Sequence, residues 1–268
     1  MSEGAAAITA CVIARDEADN LRELLPTVRW ADEVLVLLDE ATQDDSAAVA
    51  RSLADRVETR PFGSFPSFRN TGLELAGLPW VFFVDADERV SSALAAETRA
   101  AVQASERSLA AGEQAPVGYW VPRHNIIFGR LVRGGGWSPD FQLRLLRRDH
   151  ARYDENRLVH EVVLLQGSAG HLEERLLHLN YDSPRDFIHR QRRYTALEAQ
   201  TLRAAGAGFR RRALVGQPLR EFGRRYLALG GWKDGPVGLF LSAALAYYAF
   251  RRVQLVRERA SASALRRS

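Results

Sequence analysis

Trp80-Val81-Phe82-Phe83-Val84-Asp85-Ala86-Asp87-Glu88 is the stretch that decides how this chain is read. Five apolar residues, β-branched and aromatic, predict a strand buried on both faces, and they run directly into three carboxylates within four positions. Carboxylates left unpaired at the carboxyl end of a central strand repel one another, so the arrangement calls for a cation. Asp85 and Asp87 flank Ala86 as an Asp-x-Asp pair, which suits a hard divalent ion holding phosphate oxygens. The competing reading is a solvated loop that caps a helix beginning near Ser91 or Ser92.

Working outward, residues 6–14 read as a first buried strand ending at Arg15-Asp16-Glu17, with a short helix over 20–28. Residues 33–38 form a second apolar strand that closes on Asp39, and Asp44-Asp45-Ser46 opens a helix to about Ala54 with acidic residues at its favourable end. Residues 57–59 are a third strand and 65–75 a helix carrying Arg69 and Asn70. Strands alternating with helices predict an α/β fold with a Rossmann-like, mostly parallel sheet and its ligand at the strands' carboxyl ends. Arg15, Asp16, Asp39, Asp85 and Asp87 then converge on one acidic crevice. No Gly-x-Gly-x-x-Gly follows the first strand and no Gly-x-x-x-x-Gly-Lys occurs, so the usual phosphate cradles are missing and a metal is expected to handle phosphate.

Downstream of an Ala-rich helix over 92–108, strands at 118–123, 141–146, 158–165 and 172–180 predict an irregular mixed sheet. Between them Gly134, Gly135, Gly136 and Trp137 form a loop that either admits a ligand against bare backbone, with the indole stacked on a sugar, or is a structural turn with a half-buried Trp. After Ser183-Pro184 helices are predicted over 185–205, 218–229 and 237–259. Leu219, Phe222, Tyr226 and Leu229 share one face of the middle helix and Arg220, Arg224 and Arg225 another. Such helices suit an anionic membrane surface, or else pack on the sheet with a solvated basic face; the apolar run 235–250 is too short to span a bilayer.

At 268 residues and 46% hydrophobic the chain can bury a full core. The single Cys11 excludes an internal disulfide and a cysteine-based zinc site, and its apolar setting predicts an inert thiol in a reducing compartment. The start shows no basic region followed by a long apolar core, so no secretory signal is expected. The net charge is +4, with Lys233 the only lysine and the arginines crowded into the second half, where they predict a face for an anionic partner.

The opening Ile8-Thr9-Ala10-Cys11-Val12-Ile13-Ala14-Arg15-Asp16-Glu17, the step Trp30-Ala31-Asp32-Glu33-Val34, Phe68-Arg69-Asn70 and Val84-Asp85-Ala86-Asp87-Glu88 resemble the nucleotide-binding half of family 2 glycosyltransferases with the GT-A fold. Gly135-Gly136-Trp137, Asp140-Phe141-Gln142-Leu143-Arg144-Leu145, Leu158-Val159-His160-Glu161 and Ala246-Tyr247-Tyr248 are similar to the lipopolysaccharide core β-glucosyltransferase branch of the WaaE/KdtX type. The resemblance covers nearly the whole chain in order. It implies a GT-A domain over 1–182, with a nucleotide-binding half (1–110) and a mixed-sheet acceptor half (111–182), and a C-terminal helical extension over 183–268.

It further implies inverting, metal-dependent transfer of sugar from a nucleotide diphosphate donor, UDP-linked, to a saccharide or glycolipid acceptor at the cytoplasmic membrane face. Nucleic acid is not an expected partner. By resemblance Ala10, Arg15, Asp39, Arg69 and Asp85 serve the nucleotide, and Asp87 holds Mg²⁺ or Mn²⁺. Gly135, Gly136, Trp137, Asp140, Arg144 and His160 fall on the sugar or acceptor side. Glu161 matches the catalytic base, with His160 as its rival; neighbours on a strand face opposite ways, so both cannot enter one site. His178 is a further metal ligand or a core imidazole.

The second-strand loop departs from the family: Asp39-Glu40-Ala41-Thr42-Gln43-Asp44-Asp45-Ser46 lacks both usual glycines, and Asp16 stands where Asn is usual. The readings kept alongside are transfer to a peptide or protein, a nucleotide-binding homologue without activity, and a nucleotidyltransferase. The last would need a basic, Gly-rich loop after the first strand.

Overall fold

The computed structural model describes residues 7–155, 162–204 and 211–264. It divides into two compact units, Met1–Arg123 with Phe141–His178, and His124–Asp140 with Leu179–Ser268.

The first unit begins with β1 (Ile8–Ala14), α1 (Ala18–Leu24), β2 (Glu33–Asp39), α2 (Ser46–Leu53), β3 (Arg56–Arg60), α3 (Phe65–Leu75) and β4 (Trp80–Asp85). The expected alternation is present. These strands lie parallel in the order β3-β2-β1-β4. Ala14 pairs with Leu38 and Ile13 with Asp85, so the carboxyl ends of β1, β2 and β4 come level with one another. In doubly wound sheets that end is where ligands bind.

The continuous apolar runs follow from burial on both faces. Ala10 and Val12 join Leu21, Leu24 and Leu94 in one layer, while Cys11, Val81 and Phe83 join Leu73 and Tyr153 in the other. Burial pushes the Cys11 thiol up to about 12, which agrees with the inert thiol expected. Side-chain caps set the helix starts. Ser64 Oγ accepts from the Ser67 N–H at 3.3 Å, and Ser67 Oγ accepts from the Ser64 N–H at 3.0 Å, a reciprocal cap on α3.

The chain continues through β5 (Glu88–Arg89), α4 (Ser92–Ala110), β6 (Pro116–Ile127), β7 (Arg130–Leu131), β8 (Phe141–Arg147), β9 (Ala151–Tyr153), β10 (Val163–Leu165), β11 (Ser168–His171) and β12 (Leu176–Tyr181). Within the first unit β8 runs antiparallel to both β4 and β6, which makes the mixed part of the sheet. β5 pairs antiparallel with β12, setting His178 opposite Glu88. Ser91 Oγ accepts from the Leu94 N–H at 3.1 Å and caps α4, the helix expected from Ser91 or Ser92.

The second unit contains α5 (Pro184–Ala204), α6 (Ala213–Phe222), a π-helical segment Gly223–Ala228 and α7 (Gly235–Ala264), and its core joins Ile127, Val132, Tyr181, Phe187, Leu241 and Tyr248. The middle helix was expected to open at Pro218. It opens at Ala213 instead, with Pro218 inside it, because proline's signal for a helix start does not exclude an interior position. No helix among the described residues is long and apolar enough to cross a membrane.

Candidate active site

Asp85 is the last residue of β4, and the cation that it calls for comes from the protein. Arg69, from α3, donates Nη2 to Asp85 Oδ1 at 2.9 Å, and Arg144, from β8, donates Nη1 to the same oxygen at 3.3 Å and Nη2 to Oδ2. Burial opposes ionisation of Asp85, yet the Arg144 and Arg69 guanidinium groups outweigh it and hold the carboxyl well below the usual range. The Asp85 side chain keeps 31% of its surface exposed, whereas those of Arg69 and Arg144 keep 4% and 6%. Arg69 also lies over Phe83 and Tyr153, with its central carbon 5.3 and 5.7 Å from the ring centroids.

Glu88 departs most from the solvated-loop alternative, because it is fully buried. Its Oε2 accepts the Asp85 N–H at 2.9 Å, while Oε1 accepts from Arg123 Nη1 at 3.2 Å and Arg144 Nη2 at 3.3 Å. Burial raises the Glu88 carboxyl, opposed by Arg144 and reinforced by nearby Asp85. The side chain thus ties the turn that carries Asp87 back onto the end of β4.

Asp87 is brought to His178, with Oδ2 and Nε2 3.4 Å apart. The antiparallel pairing of β5 with β12 makes that approach. Both side chains keep a surface, 26% and 11% exposed. No group of three or more His, Cys, Asp or Glu suited to a metal occurs among the described residues. An ion here would take Asp87 and His178 from the protein and its remaining ligands from phosphate oxygens and water, which Mg²⁺ accepts readily.

The acidic crevice is answered elsewhere too. Asp39 is buried and takes Arg15 Nη1 at 3.1 Å, and its Oδ1 accepts the Ala41 N–H at 3.0 Å. Asp16, at φ +53°, turns its carboxylate to the Gln43 N–H at 2.7 Å and so braces the loop that lost its glycines. Asp44 in turn accepts the Ala18 N–H at 3.0 Å and the Ser46 N–H at 2.9 Å. Asp16 and Asp44 thus hold backbone in a loop without the usual glycines.

Two expectations change. Ala10 is fully enclosed between Val34 and Phe82 in the middle of β1, so it is a core residue and not a nucleotide contact. Arg144, expected on the acceptor side, spends its guanidinium on Asp85 and Glu88. In the second unit, Gly135 and Gly136 adopt φ +66° and +86°, and Gly134 allows a close approach, but to the chain itself: a Cβ on Gly134 would lie 2.2 Å from the Gly230 carbonyl oxygen. Trp137 is half-buried with its ring edge-on to Tyr181 at 6.1 Å, as in the structural-turn alternative. Asn125 Nδ2 ties this loop by donating to the Trp137 carbonyl at 2.8 Å and Asp140 Oδ2 at 3.0 Å. His160 and Glu161 lie outside the described residues.

No known family profile matches the sequence. Over 254 residues, 91% of this chain and 89% of the relative, the sequence is 28% identical to the lipopolysaccharide core biosynthesis glycosyltransferase LpsC of Rhizobium meliloti (strain 1021). The chain is thus similar to a glycosyltransferase along nearly its whole length. A shorter match, 26% identical over 87 residues, covers 32% of this chain and 31% of the uncharacterized glycosyltransferase RC0292 of Rickettsia conorii (strain ATCC VR-613 / Malish 7). Among solved structures, S. aureus TarS 1-349 in complex with UDP aligns with a TM-score of 0.47 and 14% identity, covering 94% of this chain and 89% of that one.

The residues that sequence reasoning missed are those that hold others. Glu88 was seen only as a third carboxylate, and Arg123 was not singled out at all. Asn70 is buried, donates Nδ2 to the Tyr153 carbonyl at 3.0 Å and to Glu155 Oε1 at 2.8 Å, and accepts the Tyr153 N–H at 2.8 Å. It anchors the chain immediately before residue 156. A polar residue inside an apolar helix face was the available signal.

Proposed function

We propose that the protein transfers a sugar, with inversion, from a UDP-linked donor to a saccharide acceptor carried on a glycolipid such as a lipopolysaccharide inner core. The observation that carries this reading is the turn at the end of β4, where Asp85 and Asp87 stand at the carboxyl edge of a doubly wound sheet in a chain similar to LpsC along nearly its whole length. A protein working on such an acceptor would sit at the cytoplasmic face of a membrane.

Asp85 offers the donor a carboxylate that stays ionised at any working pH, held by Arg69 and Arg144 so that little reorganisation is needed when the ribose arrives. Asp87 and His178 are the residues that would hold Mg²⁺ or Mn²⁺. A bound dication supplies charge stabilisation to a departing diphosphate without a proton. Glu88 fixes the turn, so Asp87 is presented from a rigid base. Glu161 is assigned as the base that takes the acceptor hydroxyl's proton, since single displacement needs one such group and a carboxylate suffices.

The test is donor binding by calorimetry across UDP-sugars, with Mn²⁺ and with chelator, followed by transfer to deacylated core saccharide. Metal-dependent binding of a UDP-sugar supports the reading. Binding of nucleoside triphosphates alone would replace it with nucleotidyl transfer.

A further inference from the structure

We infer that the second unit carries a docking surface for an anionic lipid bilayer, made by the exposed apolar residues of α6 and the loop at Trp232 together with a basic cavity. This deepens the proposed function and rests on its reading of the acceptor as lipid-borne.

Val215 and Leu219 are 64% and 67% exposed, and their four-residue spacing puts them on one face of α6. Leu227 and Trp232 follow at 65% and 55%. None of the residues of α6 or of the π-helical segment after it is buried. The Trp232 ring carries Lys233 Nζ 5.7 Å from its centroid.

The surface is nevertheless braced. A Cβ on Gly238 would lie 1.8 Å from the Gly231 carbonyl oxygen, and the Gly135 N–H donates to the Leu229 carbonyl at 2.9 Å. Backbone packed this closely holds the Trp232 loop in place, so the indole is kept in solvent by rigid neighbours. An indole with one apolar and one wet side suits the headgroup boundary of a bilayer.

Charge points the same way. Residues 211–235 contain six basic residues against two acidic ones, and both acids are engaged internally. Glu221 takes Arg224 at 2.9 Å and Arg225 at 2.5 Å, and Asp234 accepts the Arg133 and Gly134 N–H groups at 3.0 and 2.7 Å. Next to Trp232 in sequence, Lys233 lines a cavity of about 490 Å³ together with Arg130, Arg133, Leu131, Val237 and Asp234, whose carboxylate is taken up by backbone N–H groups. Three cations mixed with apolar side chains in one cavity match a phosphate headgroup and the start of its acyl chains. Apolar side chains interleaved with arginines are the pattern of a helix lying in an interface.

The experiment is co-sedimentation of the full chain with vesicles of phosphatidylcholine alone and of phosphatidylcholine with phosphatidylglycerol. The wild type should sediment only with the anionic vesicles. A Leu227→Ser/Trp232→Ser variant and an Arg130→Glu/Lys233→Glu variant should each lose at least about tenfold in partitioning, with unchanged circular dichroism and UDP-sugar binding. Three results would overturn the inference: no sedimentation of the wild type, equal sedimentation with neutral vesicles, or full retention by both variants. Competition by inorganic phosphate with no dependence on Leu227 and Trp232 would likewise replace the bilayer with a soluble anion. Vesicle binding needs no donor and donor binding needs no vesicle, so a failure here is separable from a failure of the transfer reading.

Discussion

The end of β4 and the surface of α6 treat charge and apolar area in opposite ways. At β4 the groups are costly to bury, and each is answered inside the fold: Asp85 by two arginines, Glu88 by two arginines and a backbone N–H. On α6 Val215 and Leu219 remain in water, with Arg220 exposed beside them. A closed network stores order for a ligand that must be placed to within a fraction of an ångström. An open apolar face keeps free energy in reserve for a partner of no fixed shape.

That contrast can be broken most sharply at Arg144. Arg144→Met leaves Glu88 buried with one fewer cation and Asp85 with only Arg69, and should cost about 3 kcal/mol in urea unfolding, the cost typical of removing one member of a buried ion pair. A loss below about 1 kcal/mol would mean that the network is weakly held. Glu161→Gln should keep donor binding and lower transfer about 100-fold or more, the usual share of a general base. Turnover at the wild-type rate in that variant would remove the assignment.

The pH dependence sharpens the comparison further. Asp85 has a folded pKa below its unfolded one, so its stabilisation is complete above the ordinary carboxylate range near pH 4 and is lost as pH falls below it. Asp85→Asn should therefore flatten the acid limb of the stability curve while lowering stability at neutral pH; an unchanged acid limb would show that Asp85 contributes nothing there. The smallest effect is expected from Leu219→Ser, which should change stability by no more than about 0.5 kcal/mol, because the side chain touches little. A larger loss on thermal unfolding would show that α6 is held by its outer face.

The parallel half of the fold was legible because its strands are uninterrupted apolar runs and each ends on a polar residue at the sheet's edge. Ser91 announced its helix through a short-range cap. The network at β4 was not legible, since Arg69, Arg123 and Arg144 stand 16, 35 and 59 residues from the carboxylates they meet. Sequence spacing carries no trace of such pairings, and a charged residue following two aspartates reads as surface. The nearness of Asp87 and His178 was not legible, and His178 stayed open between metal ligand and core imidazole, because the β5–β12 pairing that brings the two together involves a strand of just two residues. Pro218 misled for a local reason, as its start signal is shared by helix interiors that bend.

The central claim is that the turn after β4 grips a nucleotide diphosphate sugar through a cation at Asp87. Calorimetric titration of UDP-sugars into wild type and Asp87→Ala, each with Mn²⁺ and with chelator, tests it most directly. The account predicts binding by the wild type with Mn²⁺ alone, and none by Asp87→Ala in either condition. Equal affinity in chelator, or an undiminished response in Asp87→Ala, would contradict it.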